Sequence, residues 1–282
     1  MELIDKIPNK KKLFYTTLLI LISFLLVFKP VHTNIPFSSI DSKSNEYLNK
    51  TITKATITYA GLRTMNAVIS VIQSIAINAS FKIPFIASGG GSISIGELFD
   101  PLNDLIERCS VVVLCSLASL GIQKIIMQIS PMIGFQILLP IALILFCIGF
   151  WLPYLKGFDF RKNALKILIF AIVIRFCIPV AAFFNERIDT LFLSEKYEQT
   201  QSEITELEDT LNNVKTSLTV SRNIKSTLDG LKNTLSNKIQ SFIDTIIIFI
   251  VQTVLIPVFV LFLLSKVPGI ILNNFKFYDE AK

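Results

Sequence analysis

Four stretches of this chain are almost free of charge: Leu13–Phe28, Pro131–Tyr154, Ala164–Phe184 and Phe242–Leu264. Each reaches or approaches the ~20 apolar residues that carry a helix across ~30 Å of hydrocarbon. In lipid a helix satisfies its own backbone groups, so repeated stretches of this length point to helices. Composition agrees, with 52% hydrophobic and only 17% charged residues, where soluble domains average ~25% charged. The expected fold is all-α: a polytopic helical membrane protein of four to six spans.

The net charge of +6 does not indicate a nucleic-acid partner, because the basic residues flank the apolar stretches. Lys6, Lys10, Lys11 and Lys12 precede the first stretch. That stretch is long for a signal peptide, and "KPVHTNIP" after it lacks a small-x-small cleavage pattern, so it reads as an uncleaved anchor. Lys156, Arg161, Lys162 and Lys166 fill the loop between the second and third stretches, and Lys266 and Lys276 follow the last. The positive-inside rule then places the N-terminus, this loop and the C-terminus in the cytoplasm of a bacterial inner membrane, which requires an even number of crossings. Trp151 and Tyr154 fit an interfacial anchor.

Two less apolar segments decide between four and six. Residues 57–80 carry Arg63, Asn66, Ser70, Gln73 and Asn78 as a stripe at helical spacing, and residues 109–129 carry Ser116, Ser119 and Gln123. Four spans with two amphipathic helices is the preferred count, and Ser130–Pro131 is expected to be a tight connection.

Between these segments lies "IASGGGSISIGELFDPLND". It has no lysine for a phosphate loop, and Ser94 stands where a dinucleotide fingerprint needs glycine. Ser94 and Glu97 have capping-box spacing, and Asp100–Pro101 reads as a helix start. Gly89, Gly90 and Gly91 are therefore expected to be a hinge. Glu97, Asp100, Asp104 and Glu107 fall on one helical face, either as a solvated surface or as oxygen ligands for a cation.

Residues 186–240 differ in kind. They are polar, without proline, and Ile204, Leu207, Leu211, Val214 and Leu218 form a heptad seam that resumes at Leu228, Leu231 and Leu235. Both ends run into apolar stretches, so the segment is expected to fold back as an extramembrane antiparallel coiled-coil hairpin. Asn212–Asn213 is the favoured turn and Thr219–Asn223 the competitor. The seam is weak enough that a homo-oligomer would help bury it.

Within the apolar stretches, Arg175, Gln252 and Gln136 stand out, because polarity there is costly. Each precedes a proline, Pro179, Pro257 or Pro140. Proline frees a carbonyl four residues back, at Arg175, Thr253 and Gln136 respectively. Three kinks are expected, with Gln252 as the partner of Arg175, because no acidic residue is apparent at that depth.

The resulting organisation is a basic N-terminus (1–12), an anchor (13–29), an amphipathic region (30–130) with its hinge at 88–96, and a transmembrane hairpin (131–185) with its basic loop at 156–166. The coiled-coil hairpin (186–240), a transmembrane helix (241–265) and a tail (266–282) follow. His32 is the only histidine, and Cys109, Cys115, Cys147 and Cys177 show no C-x-x-C spacing. No catalytic, cofactor or metal site is expected. The favoured function is a non-enzymatic scaffold or assembly protein, presenting its hairpin to a protein partner. A channel or transporter lined by the kinked helices and Arg175 is the first alternative, and a lipid-active enzyme using the acidic stripe is the second.

Overall fold

The computed structural model describes residues 9–28, 38–82, 95–152, 154–155, 158–220 and 224–280. These are helical apart from a short antiparallel ladder, β1 (Tyr154–Leu155) with β2 (Phe158–Asp159). Helix α1 covers Asn9–Phe28 and α2 covers Ser38–Lys82, a single helix of 45 residues. α3 (Ile95–Pro131) passes through a π-helical segment, Met132–Leu138, into α4 (Leu139–Trp151). α5 (Phe160–Ile188) passes through Asp189–Leu193 into α6 (Ser194–Val220). α7 (Ile224–Ile250) passes through Val251–Leu255 into α8 (Ile256–Glu280).

Four helical runs are long and apolar enough to cross a membrane: Lys10–Phe28, Asp100–Trp151, Phe160–Thr216 and Lys238–Gly269. Their surfaces carry large apolar side chains turned outward, among them Phe14, Phe24, Ile141, Phe170 and Phe259. Such faces suit lipid rather than water.

Several expected breaks are absent. Ser130–Pro131 is no connection: helix runs through it, so residues 109–129 continue into the apolar run after them. A separate crossing that turns at Pro131 is thereby removed, and with it the six-span count. Asp100–Pro101 likewise lies inside α3, which begins at Ile95. Asn212–Asn213 is no turn either, since α6 continues to Val220 and α7 starts at Ile224. The competing turn at Thr219–Asn223 falls largely outside the described residues. The proposed hinge at Gly89, Gly90 and Gly91 lies outside the described residues.

Two π-helical segments sit just before prolines, Met132–Leu138 before Pro140 and Val251–Leu255 before Pro257. Proline lacks the N–H that the preceding turn needs, and a wider turn is one relief. At Pro179 the chain remains α-helical.

The chain divides into two compact units. The first comprises Met1–Leu48, Ile122–Phe184 and Ile256–Lys282. There α1 packs along α4, and the buried Thr16 and Ser23 are small enough for close approach. The Cys147 thiol faces the carbonyl of Thr16 at 3.8 Å. Arg161, counted above as a loop cation, is instead buried, and its Nε donates to the carbonyl of Gly149 at 2.7 Å. A Cβ at position 149 would lie 2.8 Å from the Arg161 side chain, so glycine makes room for it.

The second unit comprises Asn49–Gly121 and Asn185–Leu255. Its buried positions alternate at spacings of three and four. On α2 the stripe is Thr51, Ala55, Thr58, Leu62, Met65, Ile69 and Ile72, with Val68 buried beside it; on α3, Leu102, Ile106, Cys109, Val113, Ser116 and Leu120, with Ser110 beside it; on α6, Thr200, Ile204, Leu207, Leu211 and Val214. This is the spacing of helices that pack side by side at shallow angles.

Polar ties fix the neighbours. Lys196 meets Asp244 at 3.0 Å and Lys238 meets Glu206 at 2.9 Å, while the Ser241 hydroxyl donates to Glu203. As the α6 number rises the α7 number falls, so the pair is antiparallel. Thr58 meets Tyr197 and Gln201 across α2 and α6, and Gly61 faces Glu208, a parallel pairing. Cys109 faces the carbonyl of Phe242, and Ser116 meets Thr253, so α3 runs parallel to α7. Gln73 donates to Asp100 at 3.0 Å, joining α2 to α3. The unit is a four-helix bundle. Residues 194–250 do form a helical hairpin, but its α6 seam is covered within the same chain by α2 as well as α7. Among the described residues the pair is part of this bundle rather than a free-standing two-stranded coiled coil. The seam side chains of Leu218, Leu228, Leu231 and Leu235 lie outside those described.

Candidate functional site: two buried ion pairs

In the bundle, two of the π-helical segments place polar groups together. Asp189 opens one and Gln252 lies in the other, both buried. Gln252 Nε2 donates to Asp189 Oδ1 at 2.7 Å. Lys54 Nζ donates to Asp189 Oδ2 at 3.2 Å, and its charge lies 4.7 Å from the centre of the Tyr197 ring. The Asp189 side chain is 6% exposed, a depth at which a lone carboxylate would be very unfavourable. Here it has an ammonium and an amide.

The network extends in both directions. The Tyr197 hydroxyl donates to the Lys54 carbonyl at 3.3 Å, and Thr58 Oγ1 donates to Gln201 Oε1 at 2.9 Å. Asn185 Nδ2 donates to the Gln252 carbonyl at 3.1 Å. The Thr253 carbonyl, which Pro257 leaves without its usual donor, accepts from Ser119 Oγ at 2.9 Å. Here a freed carbonyl finds a hydroxyl on a neighbouring helix.

In the first unit, Arg175 is fully buried in α5, its side chain 1% exposed. Its partner is not Gln252, which bonds Asp189. Asp41, in the first turn of α2, accepts from Arg175 Nη2 through Oδ2 at 2.5 Å. The expectation that no acid reaches Arg175 fails because 134 residues of chain separate the pair, a distance that spacing along one helix cannot reveal. The guanidinium also lies over two rings, 5.5 Å from Phe135 and 5.4 Å from Phe176. Gly134 lets α5 approach closely: a Cβ there would lie 3.2 Å from Arg175 Cβ.

This second pair is incomplete. Arg175 Nε and Nη1, Asp41 Oδ1 and Asn45 Oδ1 are all buried without a hydrogen-bond partner. Asp41 and Asn45 are four apart on α2 and so share a face.

Of the other sequence candidates, Gln136 is half-buried in the π-helical segment before Pro140. In the acidic stripe, Asp100, Asp104 and Glu107 are exposed. Cys109, Cys147 and Cys177 are buried, while Cys115 faces outward. Sequence reasoning overlooked Lys54 and Asp189. Two signals were present: an acid following the apolar run that ends at Phe184, and Lys54 and Thr58 one turn apart. Comparison with protein-family models, curated proteins and solved structures gave no match for this chain.

Proposed function

We propose that this is a non-enzymatic, integral membrane scaffold or assembly protein that presents the outer face of its α6–α7 hairpin to a partner, including further copies of itself. The observation that carries this reading is how the polar groups inside the bundle are used. Asp189, Lys54, Gln252, Thr58, Ser119 and Thr253 bond one another or neighbouring backbone across helix boundaries. Groups engaged in this way specify a packing rather than attack a substrate. Exposed on α6 are Glu195, Glu198 and Asp209, a charged face suited to a polar partner. Both termini and the 154–159 turn are assigned to the cytoplasm, and the hairpin to the opposite side.

The test removes the distal hairpin in register. Because Glu206 pairs with Lys238, replacing residues 207–237 with a short turn keeps the proximal ties. The reading expects the shortened protein to insert normally but lose the oligomeric or partner-bound species seen on detergent extraction. An unchanged assembly state would contradict it.

A channel or transporter is the second reading, favoured by the buried and incompletely bonded Arg175. It expects conductance or solute flux in reconstituted bilayers that changes sharply in Arg175→Leu.

A further inference from the structure

The four orphaned atoms beside α2 divide by chemistry. Arg175 offers two donors, Nε and Nη1, and the acceptors are Asp41 Oδ1 and Asn45 Oδ1. The pair itself sums to zero charge. A lone anion would serve the donors but meet Asp41 with like charge. A lone cation would do the reverse. A ligand carrying an oxyanion and, a few bonds away, an ammonium with N–H groups serves both sides and leaves the charge balanced.

We propose that the Arg175–Asp41 corner of the first unit binds a zwitterion with a primary ammonium and an oxyanion, the chemistry of a phosphoethanolamine headgroup. The oxyanion accepts from Arg175 Nε and Nη1, and the ammonium donates to Asp41 Oδ1 and Asn45 Oδ1. Entry is from the Asp41 side, since that side chain is 29% exposed and Arg175 is not. Exposed Phe170 and Ile172 on α5 and Ile137 and Ile141 beside Pro140 supply apolar surface for acyl chains. The same headgroup chemistry also exists in soluble form, and the experiment separates the two sources.

Full-length protein is extracted in mild detergent from bilayers holding equal phosphatidylethanolamine and phosphatidylcholine, and retained lipid is counted by native mass spectrometry. The two headgroups differ by N-methylation, which removes every N–H donor. The expected result is a several-fold excess of bound phosphatidylethanolamine, lost in Asp41→Asn and in Asn45→Ala, which keep the helix, as well as in Arg175→Lys. In a second arm, lipid-stripped protein is melted with and without soluble phosphoethanolamine. Stabilisation there, absent in Asp41→Asn and without lipid preference in the first arm, assigns the site to a soluble zwitterion. Equal retention of both lipids with no shift in the second arm overturns the proposal, as does an ethanolamine preference that survives all three substitutions.

Discussion

The bundle and the first unit each bury a basic–acidic pair, and they treat it in opposite ways. Around Asp189, Lys54 and Gln252 supply bonds on both carboxylate oxygens, and Tyr197 shields the ammonium. Around Arg175, one bond to Asp41 is made, while two donors and two acceptors stay open. Burial alone therefore does not tell a structural pair from a functional one. Completion of the hydrogen bonds around the charged groups is what separates the two, because an unmade bond in a dry site is costly.

The largest effect should come from breaking the complete pair. Asp189→Ala strands the Lys54 ammonium and the Gln252 amide, and is expected to cost ~3–5 kcal/mol. Denaturant titration of the detergent-solubilised protein measures this. The double change Lys54→Met with Asp189→Leu should recover most of the loss, because no charge remains unpaired. If Asp189→Ala proves no worse than a surface substitution, the contrast fails.

Next in size is Ser119→Ala. It removes the hydroxyl that serves the Thr253 carbonyl, which Pro257 cannot satisfy, at ~1–3 kcal/mol by the same titration. Arg175→Met should cost little, within ~1 kcal/mol, since two of its donors already lack partners and Asp41 can turn towards water. A loss as large as that of Asp189→Ala would mean the Arg175 pair is also structural. Smallest is Lys238→Ala, which breaks a tie to the exposed Glu206 and is expected to shift stability by ~0.2–1 kcal/mol.

These predictions also mark what the sequence could convey. The apolar runs were legible because hydropathy is a local property, and so were Ile204, Leu207, Leu211 and Val214 as a seam, because a heptad repeat is local too. What covers that seam was not. By the register of Thr58 with Gln201 and Gly61 with Glu208, the α2 positions opposite it are Leu62, Met65, Ile69 and Ile72, interleaved in the sequence with the polar stripe of Arg63, Asn66, Ser70 and Gln73 that drew attention first. Prolines 101 and 131 suggested boundaries that packing overrides. The Arg175–Asp41 and Lys54–Asp189 pairs join residues far apart in the chain, and only the folded backbone brings them together. Ser119 is partly an exception: it stood in a stripe noted beforehand, but its target carbonyl became apparent only with Pro257 in place.

The account depends most on the α6 seam being covered by α2 of the same chain. Thr58 and Gln201 touch across that contact at 2.9 Å, so the measurement is cross-linking of Thr58→Cys with Gln201→Cys by a short, reducible bis-methanethiosulfonate reagent in a Cys115→Ser background, in native membranes. The account predicts a monomer-sized species that migrates differently until reduced. Cross-linked dimers only, or no bond at all, would contradict it and return the hairpin to a free or intermolecular coiled coil.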